Sequence, residues 1–151
     1  MTEDQLKQKG AIYVTDVLTG MSVYSSYVVH MGRVEAKEWF LQLREKNGEK
    51  NSFLDFYYFR LTKEEQKRVE SCLTSEECLY LKEMAKEVQD DIIFQMEEKL
   101  LDIAVKLNEM EMLFSTFYYT GEKSTWWGNY GKEYVVFWDK GKCPVFSCVS
   151  K

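Results

Sequence analysis

Apolar residues step along residues 74–109 by threes and fours, at Leu81, Ala85, Val88, Ile92, Met96, Leu100, Ile103 and Leu107. That spacing keeps one stripe on one side of a 3.6-residue helix. With no Gly or Pro to interrupt it, the pattern predicts one continuous helix, roughly 50 Å long at about 1.5 Å per residue. Such a helix exceeds the width of a compact domain of this length, so the rest of the chain is expected to be organised around it.

Upstream, residues 10–18 (with Ile12, Tyr13, Val14 and Val17) and residues 23–31 (with Tyr24, Tyr27, Val28 and Val29) are rich in β-branched and aromatic side chains and predict two strands. Residues 34–46 place Trp39, Phe40 and Leu43 on one side of a helix, which Asn47-Gly48 ends. The run Phe-Leu-Asp-Phe-Tyr-Tyr-Phe-Arg-Leu over 53–61 predicts a strand. Leu61-Thr62-Lys63-Glu64-Glu65 and Leu73-Thr74-Ser75-Glu76-Glu77 then repeat one motif twelve residues apart. In each, a Thr hydroxyl and a Glu carboxylate three residues on can satisfy each other's free N–H groups. A short helix from Thr62 to Cys72, turning at a tight corner into the long one, follows from this.

Past Asn108, the Phe- and Tyr-dense residues 110–119 predict a strand. Residues 120–131 hold Gly121, Gly128 and Gly131 and read as a loop presenting Trp126, Trp127, Asn129 and Tyr130. Residues 133–139 predict a strand, Asp139-Lys140-Gly141-Lys142 a hairpin turn, and residues 143–149 a last strand with Pro144 near its start. The expected fold is one α+β domain over residues 1–151: an antiparallel sheet, with a C-terminal meander, packed on one long central helix and two shorter ones.

Charge sharpens this picture. The net charge of −5 is concentrated in residues 75–111, where eleven acids face four lysines, and no arginine follows Arg68. Phosphate backbones demand a basic footprint, so nucleic-acid binding is not expected. A partner of the acidic stretch is expected to be basic. The start of the chain is polar, and residues 11–31, the longest mildly hydrophobic stretch, are broken by Asp16. No membrane span is expected, and the location is expected to be cytoplasmic.

Catalytic and metal chemistry find little footing. His30 is the sole histidine, no nucleophile motif surrounds it, and no glycine-rich phosphate loop exists. Cys72, Cys78, Cys143 and Cys148 lack the close pairing of zinc ribbons, so reduced thiols, no metal and no cofactor are expected. Adjacent acids on a helix diverge by about 100°, though Glu83, Glu87 and Asp91 share one face.

Two functional expectations follow. In the first, the chain is a non-enzymatic protein that inhibits or regulates a basic protein partner. Its surface would be Trp126, Trp127, Asn129 and Tyr130 together with Glu87, Asp90, Asp91, Glu97 and Glu98. Small acidic inhibitors and toxin-neutralising immunity proteins use negative charge in this way to speed capture. In the second, a pocket between helix and sheet binds a small molecule, lined by Tyr57, Tyr118, Tyr119 and Tyr134 with Glu87 or Asp91 as its ionised group. A homodimer, formed through a stripe widened by Met84, Ile93 and Phe94, is a third possibility.

Overall fold

The computed structural model describes residues 1–142; the expected last strand and two of the four cysteines lie outside the described residues. In order, the chain forms α1 (Glu3–Gln8), α2 (Val17–Val23), β1 (Ser25–His30), α3 (Arg33–Asn47), β2 (Ser52–Asp55), α4 (Lys63–Glu70), α5 (Ser75–Ala85), β3 (Ile93–Gln95), α6 (Glu98–Glu109), β4 (Thr116–Tyr119), β5 (Ser124–Gly128) and β6 (Glu133–Trp138). Every neighbouring pair in the β1-β6-β5-β4-β2-β3 sheet is antiparallel, and β4-β5-β6 is the expected C-terminal meander.

Both faces of this sheet are covered, which is why its central strands read as nearly unbroken apolar runs. The row Leu54, Phe117, Trp126, Val136 lies on one face. There it meets Ala36, Phe40 and Leu43 of α3 and Leu100, Leu101, Ile103, Ala104 and Leu107 of α6. Phe40 stacks on Phe117 and meets Trp126 edge-on. The next row, Phe53, Tyr118, Thr125, Phe137, points the other way. It is closed by the first part of the chain: Leu6 packs with Phe53 and Tyr118, and Ile12 and Val14 pack with Val135 and Phe137.

Both Thr-x-x-Glu boxes form as the sequence predicts. Glu65 N–H donates to Thr62 and Glu77 N–H to Thr74, while each Thr N–H donates back to its Glu. Gly48, at φ 91, ends α3 in a conformation that favours glycine.

The predicted long helix is divided. α5 stops at Ala85, residues 93–95 join the sheet beside β2, and a separate α6 begins at Glu98. Ile92, Ile93 and Phe94 are β-branched or aromatic and gain more from the ladder beside Leu54 than from a helix. Arg60 donates to the carbonyl of Asp90 and Arg44 to that of Met96, satisfying backbone groups on either side of β3. The periodicity concealed this break because Ile92 and Met96, four apart, are buried in the extended form as well. The ion pairs of these segments are Lys106 with Glu77 at 2.8 Å, Asp102 with Lys37, and Lys86 with Glu83.

Three shorter expectations also change. Residues 10–18 form no strand, because Asp16 accepts from Thr19 N–H and caps α2. Residues 53–61 are strand only to Asp55, after which Tyr58–Arg60 makes a 3-10 turn. The expected Trp loop contains β5, the strand between β4 and β6. Gly128 ends β5 so close to Asn108 and Ser115 that a Cβ there would lie 2.8 Å from each.

Candidate functional site

Because β5 alternates, its two tryptophans part company. Trp126 is 1% exposed in the core between sheet and α3, and its indole N–H donates to Ser124. Trp127 lies half-buried on the opposite face beside Val135. Tyr130 is exposed and meets Phe114 edge-on, and Asn129 is half-buried and hydrogen-bonded to Glu133. The flat two-Trp surface expected from sequence is therefore not formed. Of the expected partner-binding group, Tyr130 alone among these four is well exposed.

The predicted acids fare differently. Glu87, Asp91 and Glu97 line a groove of about 800 Å³ beside β3, together with Glu83, while Asp90 and Glu98 are exposed but do not line it. Lys9 and Lys50 are the lysines lining the groove. Tyr80 O–H donates to Glu97 at 2.8 Å, and the Met1 ammonium donates to Asp91 at 2.8 Å. Apolar lining comes from Met84, Val88, Ile93 and Phe94. Three of those residues were expected to widen a dimer stripe, but the break at β3 divides the continuous helical face that such a stripe requires.

A second concavity, about 330 Å³, opens on the other face of the sheet, where β2 and β5 end and β4 begins. Tyr13, Val14 and Thr15 close one side, Tyr57 and Tyr118 another, and Trp127 and Asn129 a third. Tyr13 stacks parallel to Tyr118. Asp55 lines this cavity and is 6% exposed, with Thr116 N–H donating to its Oδ1 at 2.8 Å. Among the described residues it has no ion-pair partner. Burial pushes the Asp55 carboxyl up to about 7, against the downward pull of hydrogen bonds from Thr116 and Tyr118, and Glu3 adds to the rise. Burial likewise raises Tyr118, Tyr13 and Tyr57, with the Asp55 charge contributing to each.

The four tyrosines expected to line one pocket between helix and sheet are divided between the two faces of the sheet. Tyr57 and Tyr118 line the cavity, whereas Tyr119 and Tyr134 point into the helix-covered core. There Tyr119 O–H donates to Phe40 O at 2.7 Å, and Asn108 donates to the Tyr134 oxygen. The carboxylate of the pocket is Asp55, which sequence reading passed over in favour of Glu87 and Asp91. One signal pointed to it: Asp55 is the sole acid in an aromatic run, and an acid placed there is buried when the run is.

His30, exposed, ends β1 opposite Glu133. Cys72 and Cys78 are free, half-buried thiols, and burial raises the Cys78 thiol. Among the described residues no three His, Cys, Asp or Glu side chains gather as a metal site, and no helix is long and apolar enough to cross a membrane. Two-sided cover on a six-stranded antiparallel sheet, with one groove at an edge and one polar cavity beneath the N-terminal segment, defines the architecture of this α+β protein. Comparison with protein-family models, with curated proteins and with solved structures finds no significant match.

Proposed function

We propose that the chain is a non-enzymatic, cytoplasmic interaction protein that binds a basic segment of another protein and inhibits or regulates it. The observation that supports this reading is the edge groove, where Glu87 and Glu97, together with Glu83 and Asp91 that pair with Lys86 and the Met1 ammonium, share the lining with apolar Met84, Val88 and Phe94 and with Lys9 and Lys50. Apolar anchors give a docked segment its affinity, while rim carboxylates steer a cationic one and fix its register. Asp90 and Glu98, both exposed near the groove in sequence, extend the field that an approaching partner meets.

The test is affinity capture from native extract at low and at high salt, with wild type and a Glu83→Lys/Glu87→Lys variant. The expected result is one basic protein retained in fixed ratio by wild type, released by salt, and lost with the reversed charges. Capture that survives both the salt and the reversal would refute the proposal, as would no retained partner at either salt.

A further inference from the structure

The Asp55 cavity stands apart from the groove, shares no lining residue with it, and carries its own inference. We propose that this cavity is a binding site for a small organic ammonium ion, held by Asp55 within walls of Tyr57, Tyr118, Tyr13 and Trp127.

Three features of the site converge on that chemistry. First, a carboxylate is buried without a counter-charge among the described residues. An uncompensated buried charge is costly, and a ligand cation that pairs with it recovers that cost as affinity. Second, the rings of Tyr13, Tyr57, Tyr118 and Trp127 line the cavity, and Tyr13 already draws a cation, with the Lys7 ammonium 4.7 Å from its ring centroid. Electron-rich rings attract cations, and desolvated sites strengthen that attraction. An anionic ligand is repelled by the ionised Asp55, and a neutral hydroxyl compound can hydrogen-bond to it but leaves its charge uncompensated. Third, the size selects. A volume of about 330 Å³ sits at the lower limit of ligand pockets, roughly 300–1,000 Å³, and suits an alkylammonium rather than a nucleotide.

The charged and titratable groups facing Asp55 are Glu3 from α1, Tyr13 from the N-terminal segment, Tyr57 after β2 and Tyr118 from β4. Arg60 acts on Tyr57, and the Lys7 ammonium lies over the Tyr13 ring. The tyrosines stay neutral through the physiological range, because burial raises all three. Asp55 is therefore the group whose ionisation gates the site. An alkylammonium remains charged at these pH values, so binding requires the deprotonated carboxylate and strengthens as pH rises. For a group titrating at about 7, the ionised fraction falls from about 0.9 at about pH 8 to about 0.03 at about pH 5.5, and apparent affinity falls about thirtyfold with it.

The experiment is calorimetric and NMR titration of the full chain with tetramethylammonium, n-propylammonium and choline chlorides, against sodium chloride of equal ionic strength. The expected result is one-to-one binding by at least one ammonium at about pH 8, with shifts at the Trp127 indole and the Thr116 amide. Binding should weaken about thirtyfold at about pH 5.5. Asp55→Asn keeps the shape and the Thr116 acceptor and should abolish binding, while Trp127→Leu should weaken it about tenfold or more. The pH comparison on the unaltered chain needs no variant, so the test stands even where a substitution impairs folding. No ammonium-specific shift at the higher pH, equal affinity at both pH values, or binding retained by a folded Asp55→Asn would each overturn the proposal.

Discussion

Replacing Asp55 by Asn converts the buried carboxylate into a measurable difference in stability. The amide keeps an oxygen to accept the Thr116 N–H, 2.8 Å away in the native protein, and removes the charge. In the folded chain, burial holds the Asp55 carboxyl at about 7, against an ordinary value of 3.8. Between those two values the folded state keeps a proton that the unfolded chain has released. Native stability therefore falls as pH rises through that window, and this group adds no slope above or below it. Each pK unit corresponds to about 1.4 kcal/mol, so the span from about pH 4.5 to about pH 8 amounts to about 3 kcal/mol. The amide titrates nowhere in the range, and the tyrosines that feel the Asp55 charge titrate above it. Urea unfolding of the pair across that range, read by Trp fluorescence, should show the Asp55→Asn variant gaining about 3 kcal/mol on wild type as pH rises. Two curves that stay parallel would refute the reasoning, since Asp55 would then be ionised in the folded and unfolded states alike.

Trp126→Ala should cost about 3–5 kcal/mol, as a core truncation between Phe40 and the sheet. Trp127→Ala, on the half-buried side, should cost about 1–2 kcal/mol, and equal costs in chemical denaturation would contradict the two-faced placement of β5. Gly20→Ala puts a Cβ 2.7 Å from a Phe137 ring carbon and 2.8 Å from Val14. It should destabilise by about 1–3 kcal/mol despite the better helix propensity of Ala, and a stabilised variant would mean that α2 is not docked on β6.

What the sequence made legible is local. The capping boxes at Thr62 and Thr74 and the Gly48 stop of α3 appear where their chemistry put them, because each is settled within four residues. The strand at residues 133–138 is likewise plain, since Val135, Val136 and Phe137 leave no helical stripe. What stayed hidden depends on partners far along the chain. Ile93 and Phe94 become strand because Leu54 and Asp55 stand beside them. The Trp126-Trp127 pair becomes interior because β4 and β6 flank it. Glycines at Gly121, Gly128 and Gly131 resemble loop punctuation, yet Gly128 is required by close approach to Asn108 and Ser115 rather than by a turn. The site divides in the same way. Glu83, Glu87 and Asp91 line one groove, but not through the helical spacing that joins them in the sequence, since α5 stops at Ala85, and no local pattern could bring Tyr13 to Asp55 across a sheet.

The cover that the first residues provide has a consequence for synthesis. The Thr125 hydroxyl donates to the Ile12 carbonyl at 2.6 Å, across 113 residues of chain, and Val14 rests on Val135 and Phe137. At about 5–20 residues per second, the ribosome delivers β6 roughly ten seconds after Ile12 has emerged. Through that interval Ile12 and Val14 have no β6 to rest on, although Leu6 can already meet Phe53 of β2. The Asp55 cavity, walled by Tyr13 and Val14, is thus complete only once this segment has docked against β6.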